Sequence, residues 1–519
     1  MDALFVPLAD SLGASVDQIK LISCLLISYP LGSVFIRLPK NHTVKHAFNI
    51  GVTMFYLLGM LNLWSGVAQL LGSILATYYV AKNVKGPSMP WIVFCIVMGH
   101  LMANHIIRAI FNWSYETFEI TGPQMVLTMK LTTFAWNVYD GRQKPEDLDR
   151  WQTQKRVSEF PSLLAFLGYS FYYPGFLVGP YLDFASYMSL IDETIYKANG
   201  SKNETEKKGR LVPKGRKRVA YRKLITGLIF LGLFVTQNGK FNFSVSLQDQ
   251  FIKESLLYRI AFIQICGFFE RTKYYAIWTL TEGASILSGL GFSGFGPNGE
   301  SLWTDAANVD ITNIELAPNF KIMLDSWNMK TNEWLRECVY KRVTPKGKKA
   351  GFKSSMITFG TSAFWHGIAG GYYIAFFFGG FVQTLGRLCR AHFRILLLPA
   401  NAGKNDVAPA TFAKMVYDVL SVICAVACTN YAAMPFMLLD VRDSLKGWAA
   451  VGWYGHVLVF GGMAFFYLGG SHYLKGVQNR RVARVKKLDQ KTSDLGTETP
   501  RPLTIPPVDI PLEEVDKRL

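Results

Sequence analysis

The chain has 519 residues, half of them hydrophobic and only 18% charged, with 37 Phe, 24 Tyr and 12 Trp. That composition excludes intrinsic disorder, a collagen-like repeat and a small disulfide scaffold. The formal charge of +18 would point a soluble protein toward nucleic acid; apolar residues gathered in long blocks point instead to a polytopic membrane protein with basic loops on one side.

No basic residue precedes Lys20, whereas Asp2, Asp10 and Asp17 do, so the positive n-region of a secretory signal peptide is missing. The first apolar block, 21–38, ends among Arg37, Lys40 and Lys45. This asymmetry predicts an uncleaved span with the N-terminus outside or lumenal and the 37–45 loop cytosolic. The Asn41-His42-Thr43 sequon is then expected to stay unglycosylated. Crossing a bilayer takes about 20 mostly apolar residues, because every backbone polar group must be satisfied within the helix. Further blocks of this kind lie at 48–64, 66–81, 91–108, 162–180, 224–237, 251–269, 357–382, 415–439 and 449–469. Shorter or more polar blocks at 123–138 and 274–292 read as amphipathic, re-entrant or buried in protein. The predicted architecture is an all-α polytopic membrane protein, a bundle of roughly 11 transmembrane helices.

Within 123–138, Lys130 stands among Met125, Leu127, Leu131 and Phe134, where a lysine either snorkels to an interface or faces a polar cavity. The 162–181 block contains Pro174, Gly175, Gly179 and Pro180, which break a hydrogen-bond ladder and suit a segment shielded by other protein. No fixed-period repeat or inverted duplication is visible, and either would have favoured a transporter. The 293–322 loop, rich in Gly, Asn and Asp, has the length of a functional loop. The seven cysteines include no CxxC pair and sit mostly in apolar blocks, where they pack as small hydrophobes.

Polar segments divide the chain into a membrane-embedded part, 1–474, with a basic cytosolic insert at about 197–223, and a polar tail, 475–519, read as disordered. The net charge is concentrated. Segments 202–223, 341–353 and 480–491 carry +8, +6 and +5, leaving the rest of the chain at −1. All three are expected on the cytosolic side.

The chemistry-bearing stretch runs from Asn319 to Phe381. Its first part reads as an amphipathic helix, with Trp327, Trp334, Leu335 and Cys338 on one face and Asn328, Thr331 and Asn332 in an adjacent polar stripe. A basic run follows (Lys341, Arg342, Lys346, Lys348, Lys349 and Lys353), then an apolar block containing Phe364-Trp365-His366-Gly367. A lone histidine in such a block is commonly a packing residue, and His100, His105 and His456 occupy similar surroundings. His366 is distinguished by Trp365 on one side and by Gly367, Gly370 and Gly371 on the other, small residues that let a substrate or another backbone approach. An ionisable residue inside a membrane is a functional candidate.

WNMKTNEWLR, the basic run and FWHGIAGGYY together resemble the signature of the membrane-bound O-acyltransferases, in particular the lysophospholipid acyltransferase branch and its fungal members of broad head-group range. Similar stretches are QMVLTMKLTTFAWNVYDGR at 124–142, PSLLAFLGYSFYYPGFLVGPY at 161–181 and KYYAIWTLTEGASILSGLGFSG at 273–294. The resemblance covers about residues 20–470. It implies a helical bundle enclosing an intramembrane reaction chamber, with cytosolic entry for acyl-CoA and a lateral opening for the lipid acceptor, in the endoplasmic reticulum membrane. The family's catalytic histidine and asparagine fall on His366 and Asn328, with Asn332 the rival for the second role. Trp327, Asn332, Trp334, Lys341, Arg342, Lys346, Lys348, Trp365 and Gly367 are the residues expected to bind substrate.

The residue types suit acyl transfer without the analogy. A thioester carries a good leaving group, so the hard step is making a glycerol hydroxyl nucleophilic away from bulk water. A neutral imidazole can take that proton, typically worth about 10²–10⁴-fold. An amide can orient the hydroxyl or donate to the developing oxyanion, worth roughly 10²–10³-fold. Neither role needs a metal, and no cofactor is expected beyond acyl-CoA as co-substrate. Cys338 offers a covalent alternative. The basic run either holds its loop at the cytosolic surface or also receives the phosphates of coenzyme A. The expected activity is transfer of a fatty acyl group from acyl-CoA to lysophospholipids within the lipid bilayer. A transporter or channel is the rival, as is, within the family, acylation of another lipid alcohol. Nucleic acid is not an expected partner, since no groove-reading or stacking module interrupts the apolar blocks.

Overall fold

A computed structural model describes residues 2–111, 118–197, 212–345, 347–348, 351–399 and 408–495. Among them the chain is helical, apart from one short antiparallel hairpin that pairs Gly294 with Leu302 and Phe295 with Ser301. It divides into two compact units, one of residues 1–386 and 416–461, the other of 387–415 and 462–519.

Five helices among the described residues are long and apolar enough to cross a membrane: Val16–Phe35, Ser88–Ile110, Arg216–Gln237, Phe412–Leu438 and Tyr454–Leu488. Their starts follow from local chemistry. Ser15 accepts from the Gln18 amide while the Gln18 side chain accepts from the Ser15 amide, a capping box that opens Val16–Phe35. Asn41, the sequon asparagine, caps the helix His42–Met54 through its side-chain oxygen. Ile225, Ile229, Val419 and Ile423 are each more than half exposed, as lipid-facing positions of a membrane helix would be.

Where the blocks depart from simple spans, packing supplies the reason. The separate 251–269 and 274–292 blocks form one helix over Leu256–Leu287. The charged stretch between them does not break it, because Glu270 accepts from the Phe243 amide and Arg271 pairs with Glu315 inside the protein. Arg216–Gln237 lies tightly along this helix. A Cβ at Gly227 would stand 2.7 Å from Leu280 Cγ, and Lys223 reaches Glu282 across the gap at 2.9 Å. The 123–138 block lies within the helix Thr121–Gly141, which is buried nearly all round.

Lys130 neither snorkels nor faces a cavity. It is buried and donates to the carbonyls of Tyr169 and Ser170 (3.0 Å to the latter), which end the helix Leu163–Ser170. Past that point the 162–181 block continues as a short 3₁₀ turn, Tyr173–Gly175, and irregular chain; Tyr172, Tyr173 and Phe176 are fully buried, so the shielding expected of this segment is provided by protein.

The 357–382 block is not one span. It breaks at Gly367 into helices Phe352–His366 and Gly370–Leu397, because Gly367 adopts φ +126°, which a residue with a side chain rarely does. Gly371 then packs against the chain at 435–439, its amide donating to the Leu439 carbonyl at 2.7 Å, and a Cβ there would stand 2.1 Å from the Pro435 carbonyl. In the second unit, residues 471–495 form a helix, so the tail expected to be disordered from 475 is ordered over its basic part. Arg481 donates to the Leu396 and Leu398 carbonyls at 2.6 and 3.1 Å, satisfying backbone groups at a helix end. Residues 198–211 of the basic insert and 496–519 of the tail lie outside the described residues.

Candidate active site

The amphipathic helix expected from Trp327 onward is interrupted at its start. Asn319 caps a helix Phe320–Ser326, which ends where Trp327 turns extended; Asn328 then takes the left-handed conformation (φ 44°, ψ 54°) before a second helix, Met329–Leu335, and a π-turn, Arg336–Tyr340. Asparagine tolerates the left-handed region better than most residues, and such positions gather at functional sites. The break separates Trp327 from the face it was expected to share. Trp327 stacks edge-on against Tyr274 and Trp278, at 5.2 and 5.0 Å between ring centres, whereas Trp334 and Cys338 pack in another cluster with Trp365.

The backbone dictates which way the Asn328 amide points. The Lys330 N–H donates to Asn308 Oδ1 at 2.9 Å, and a backbone N–H can only donate. Asn308 must therefore turn its Nδ2 toward Asn328, and it donates to Asn328 Oδ1 at 3.1 Å. The Thr331 hydroxyl donates to the same oxygen at 2.8 Å. With Oδ1 receiving two hydrogen bonds, the group Asn328 has left to offer is its Nδ2 donor. Asn308 also accepts from the Met329 amide at 2.8 Å through its carbonyl, so one residue of the 293–322 loop clamps both the backbone and the side chain at this turn.

His366 is the last residue of its helix and sits in an aromatic cage. Its ring stacks on Phe376 at 5.3 Å and meets Phe436 and Trp365 edge-on at 4.9 and 4.6 Å, with Tyr372 at 5.4 Å. The π faces of such rings suit an imidazolium formed in transit. Trp365 is held by its indole N–H donating to the Met125 carbonyl at 3.0 Å, and Trp334 likewise by Thr132 Oγ1 at 2.9 Å. His105 approaches the turn, its Nε2 lying 3.3 Å from the Trp365 carbonyl. A Cβ at Gly367 would lie 3.2 Å from the His105 ring, so the glycine serves both the turn and this close approach.

Asn328 and His366 line one largely apolar cavity of about 470 Å³, together with Trp327 and Trp365. His366 also borders a second, more polar cavity of about 320 Å³, whose lining includes Gln18, Arg108 and Glu119. Asn332 is not part of either wall; its Nδ2 donates to the Leu324 carbonyl at 3.0 Å and ties the two short helices together. Trp334 stands behind the wall, its ring 5.8 Å from that of Trp365. Cys338 is fully buried behind the wall as well, with the Thr133 hydroxyl at 3.5 Å, and burial pushes its thiol up to about 12. That environment disfavours the thiolate a covalent route needs.

The basic run is partly occupied within the protein. Lys341 pairs with Asp149 and Glu337, each at 2.6 Å. Burial works to lower its ammonium pKa, but these two hydrogen bonds outweigh it and hold the ammonium above its ordinary range. Arg342 makes a two-pronged pair with Asp140, at 2.9 and 2.6 Å, over the Trp136 ring. Lys348 makes no ion pair among the described residues, and Lys346 and Lys349 lie outside them.

Three residues of the cavity wall escaped the sequence reading. Asn308 was legible only as part of a long polar loop. Glu270 and Arg271 had a weak signal, charge inside an apolar block.

The model of the membrane-bound O-acyltransferase family matches residues 107–410, a range that contains both Asn328 and His366. The chain belongs to the membrane-bound O-acyltransferase family. It is therefore a multi-pass membrane protein. It is 36% identical to a lysophospholipid acyltransferase of Schizosaccharomyces pombe over 90% of this chain and 89% of that protein. It is equally 36% identical to a lysophospholipid acyltransferase of Saccharomyces cerevisiae, over 95% and 82% of the two lengths. A human relative, membrane-bound glycerophospholipid O-acyltransferase 2, is 28% identical over 95% and 93%.

Proposed function

We propose that this membrane-bound O-acyltransferase is a lysophospholipid acyltransferase that carries a fatty acyl group from acyl-CoA to the free glycerol hydroxyl. The observation that carries the reading is a largely apolar cavity lined at once by an imidazole and by an amide whose oxygen is already taken, which leaves its donor to face substrate. The fungal relatives' names give the acceptor class. His366 takes the hydroxyl proton as the oxygen attacks the thioester carbonyl. The carbonyl oxygen becomes an oxyanion and accepts from Asn328 Nδ2. Collapse of the tetrahedral intermediate breaks the carbon–sulfur bond, and the imidazolium returns its proton to the coenzyme A thiolate. The products are a phospholipid ester and free coenzyme A, and the enzyme ends the turnover as it began.

The remaining features follow the same reading: about eleven crossings in the endoplasmic reticulum membrane, with helices beyond the five apolar ones covered by their neighbours. Coenzyme A enters from the cytosolic side, where its phosphates meet the basic run at Lys346, Lys348 and Lys349. The test is incorporation of labelled oleoyl-CoA into several lysophospholipids by membranes expressing the chain. His366→Ala should abolish incorporation at unchanged protein abundance, and near-normal turnover would sink the assignment. A transporter would give no covalent product.

A further inference from the structure

Three permanently charged or acidic side chains line the chamber among the described residues: Glu270, Arg271 and Lys330. Two are matched. Lys330 pairs with Glu333 at 3.3 Å. Arg271 holds Glu315 in two hydrogen bonds, at 2.9 and 2.7 Å, and donates to Asn430 Oδ1 at 2.5 Å. Glu270 is different. It is 8% exposed, and the hydrogen bond given for its carboxylate is from the Phe243 amide to Oε1, at 3.2 Å. No cation pairs with it among the described residues; Lys273, one turn on, places its ammonium over the Tyr274 ring, 5.1 Å from its centre. The wall of the substrate chamber thus carries one carboxylate with no cation at ion-pair distance among the described residues, Lys273 acting on it only through space.

A buried carboxylate is costly without a cation, and a largely apolar chamber does not hydrate one. The adjacent Arg271 has five N–H donors, of which Glu315 takes two, Asn430 one and Tyr275 another. Among the described residues one donor therefore remains, on the residue that follows Glu270 in the chain. A carboxylate next to a guanidinium with a donor to spare complements a phosphodiester joined to an ammonium through a two-carbon link.

We propose that Glu270 and Arg271 form a head-group subsite for zwitterionic lysophospholipids, Glu270 receiving the ammonium and Arg271 the phosphodiester. The subsite rests on the lysophospholipid acyltransferase reading and adds its selectivity. Tyr274, which follows one turn after Glu270 and packs on Trp327, joins the subsite to the turn that carries Asn328.

Glu270→Gln isolates the charge, since the amide keeps the volume and an oxygen for the Phe243 N–H. Membranes with the full chain or this variant are assayed with oleoyl-CoA and two acceptors of equal acyl chain, lysophosphatidylethanolamine and lysophosphatidic acid, which lacks an ammonium. The ratio of kcat/KM, ethanolamine lipid over acid lipid, should fall about 10- to 100-fold in the variant, the worth of a hydrogen bond to a charged group. Loss of activity by the same factor on both acceptors, or no change on either, would overturn the subsite. If the unaltered chain acylates neither lipid, the acyltransferase reading itself fails, whatever the variant does.

Discussion

At the scale of single residues, the polarity chain from the Lys330 amide through Asn308 to Asn328 is the most demanding feature of the site. It turns an amide, which can donate or accept, into a donor alone. Asn308→Asp tests this directly. The aspartate still accepts from the Lys330 N–H, but its second oxygen now faces Asn328 Oδ1. Two acceptors repel, so Asn328 rotates and presents its oxygen to the chamber. We expect kcat to fall roughly 10²–10³-fold, the worth of one oxyanion donor, with the protein still abundant in membranes and KM for acyl-CoA little altered. A kcat within a few-fold of the unaltered enzyme would contradict the donor role. Asn328 itself was legible from the tryptophan before it and from the polar stripe. Asn308 was not, because its importance comes from hydrogen bonds to residues some twenty positions on, which no local pattern encodes.

At the scale of elements, apolar blocks found most of the helices but misplaced the breaks. The block at 251–292 looked divided because Glu270, Arg271 and Lys273 interrupt its hydrophobicity, yet ion pairing and backbone bonding inside the protein let one helix run through. The reverse happened at 357–382, where an unbroken apolar run conceals the turn at Gly367. Hydrophobic periodicity reports burial, whereas a break depends on backbone angles and on what satisfies the freed polar groups. Lys130 shows the second dependence. It supplies donors to the end of Leu163–Ser170, whose carbonyls have no water to meet. Lys130→Met keeps the stem and removes the donors, leaving those carbonyls unpaired at about 1–3 kcal/mol each. The variant should unfold at lower temperature in detergent and accumulate less. Thermal stability equal to that of the unaltered protein would show that the bonds contribute nothing.

At the scale of the whole molecule, the charge of +18 is distributed with a purpose that composition alone hides. The 216–223 part of the first basic segment opens a helix and contributes Lys223 to a pair with Glu282. Lys341 and Arg342 bind the second segment back onto Asp149, Glu337 and Asp140. The basic part of the third lies in the helix Ser471–Leu495. Family and helical class could be read from the sequence because ordered motifs carry them, and the same motifs named Asn328 and His366, which the fold brings to one cavity wall. The chamber wall could not, since it is assembled from the 270, 308, 328 and 366 regions of the chain, which meet only in the fold.

His366 forms part of the wall of two cavities, one lined by Asn328 and the other by Arg108 and Glu119. Its kinetic consequence is that both reactants can occupy the enzyme in the same turnover, each reaching the imidazole from its own side, so no acylated form of the protein need arise between them. Initial rates measured against acyl-CoA at several fixed lysophospholipid concentrations should give reciprocal lines that intersect, as for a ternary complex. Parallel lines would instead report a ping-pong cycle through an acyl-enzyme, and a wall shared by two reactants would then have no part in the order of events.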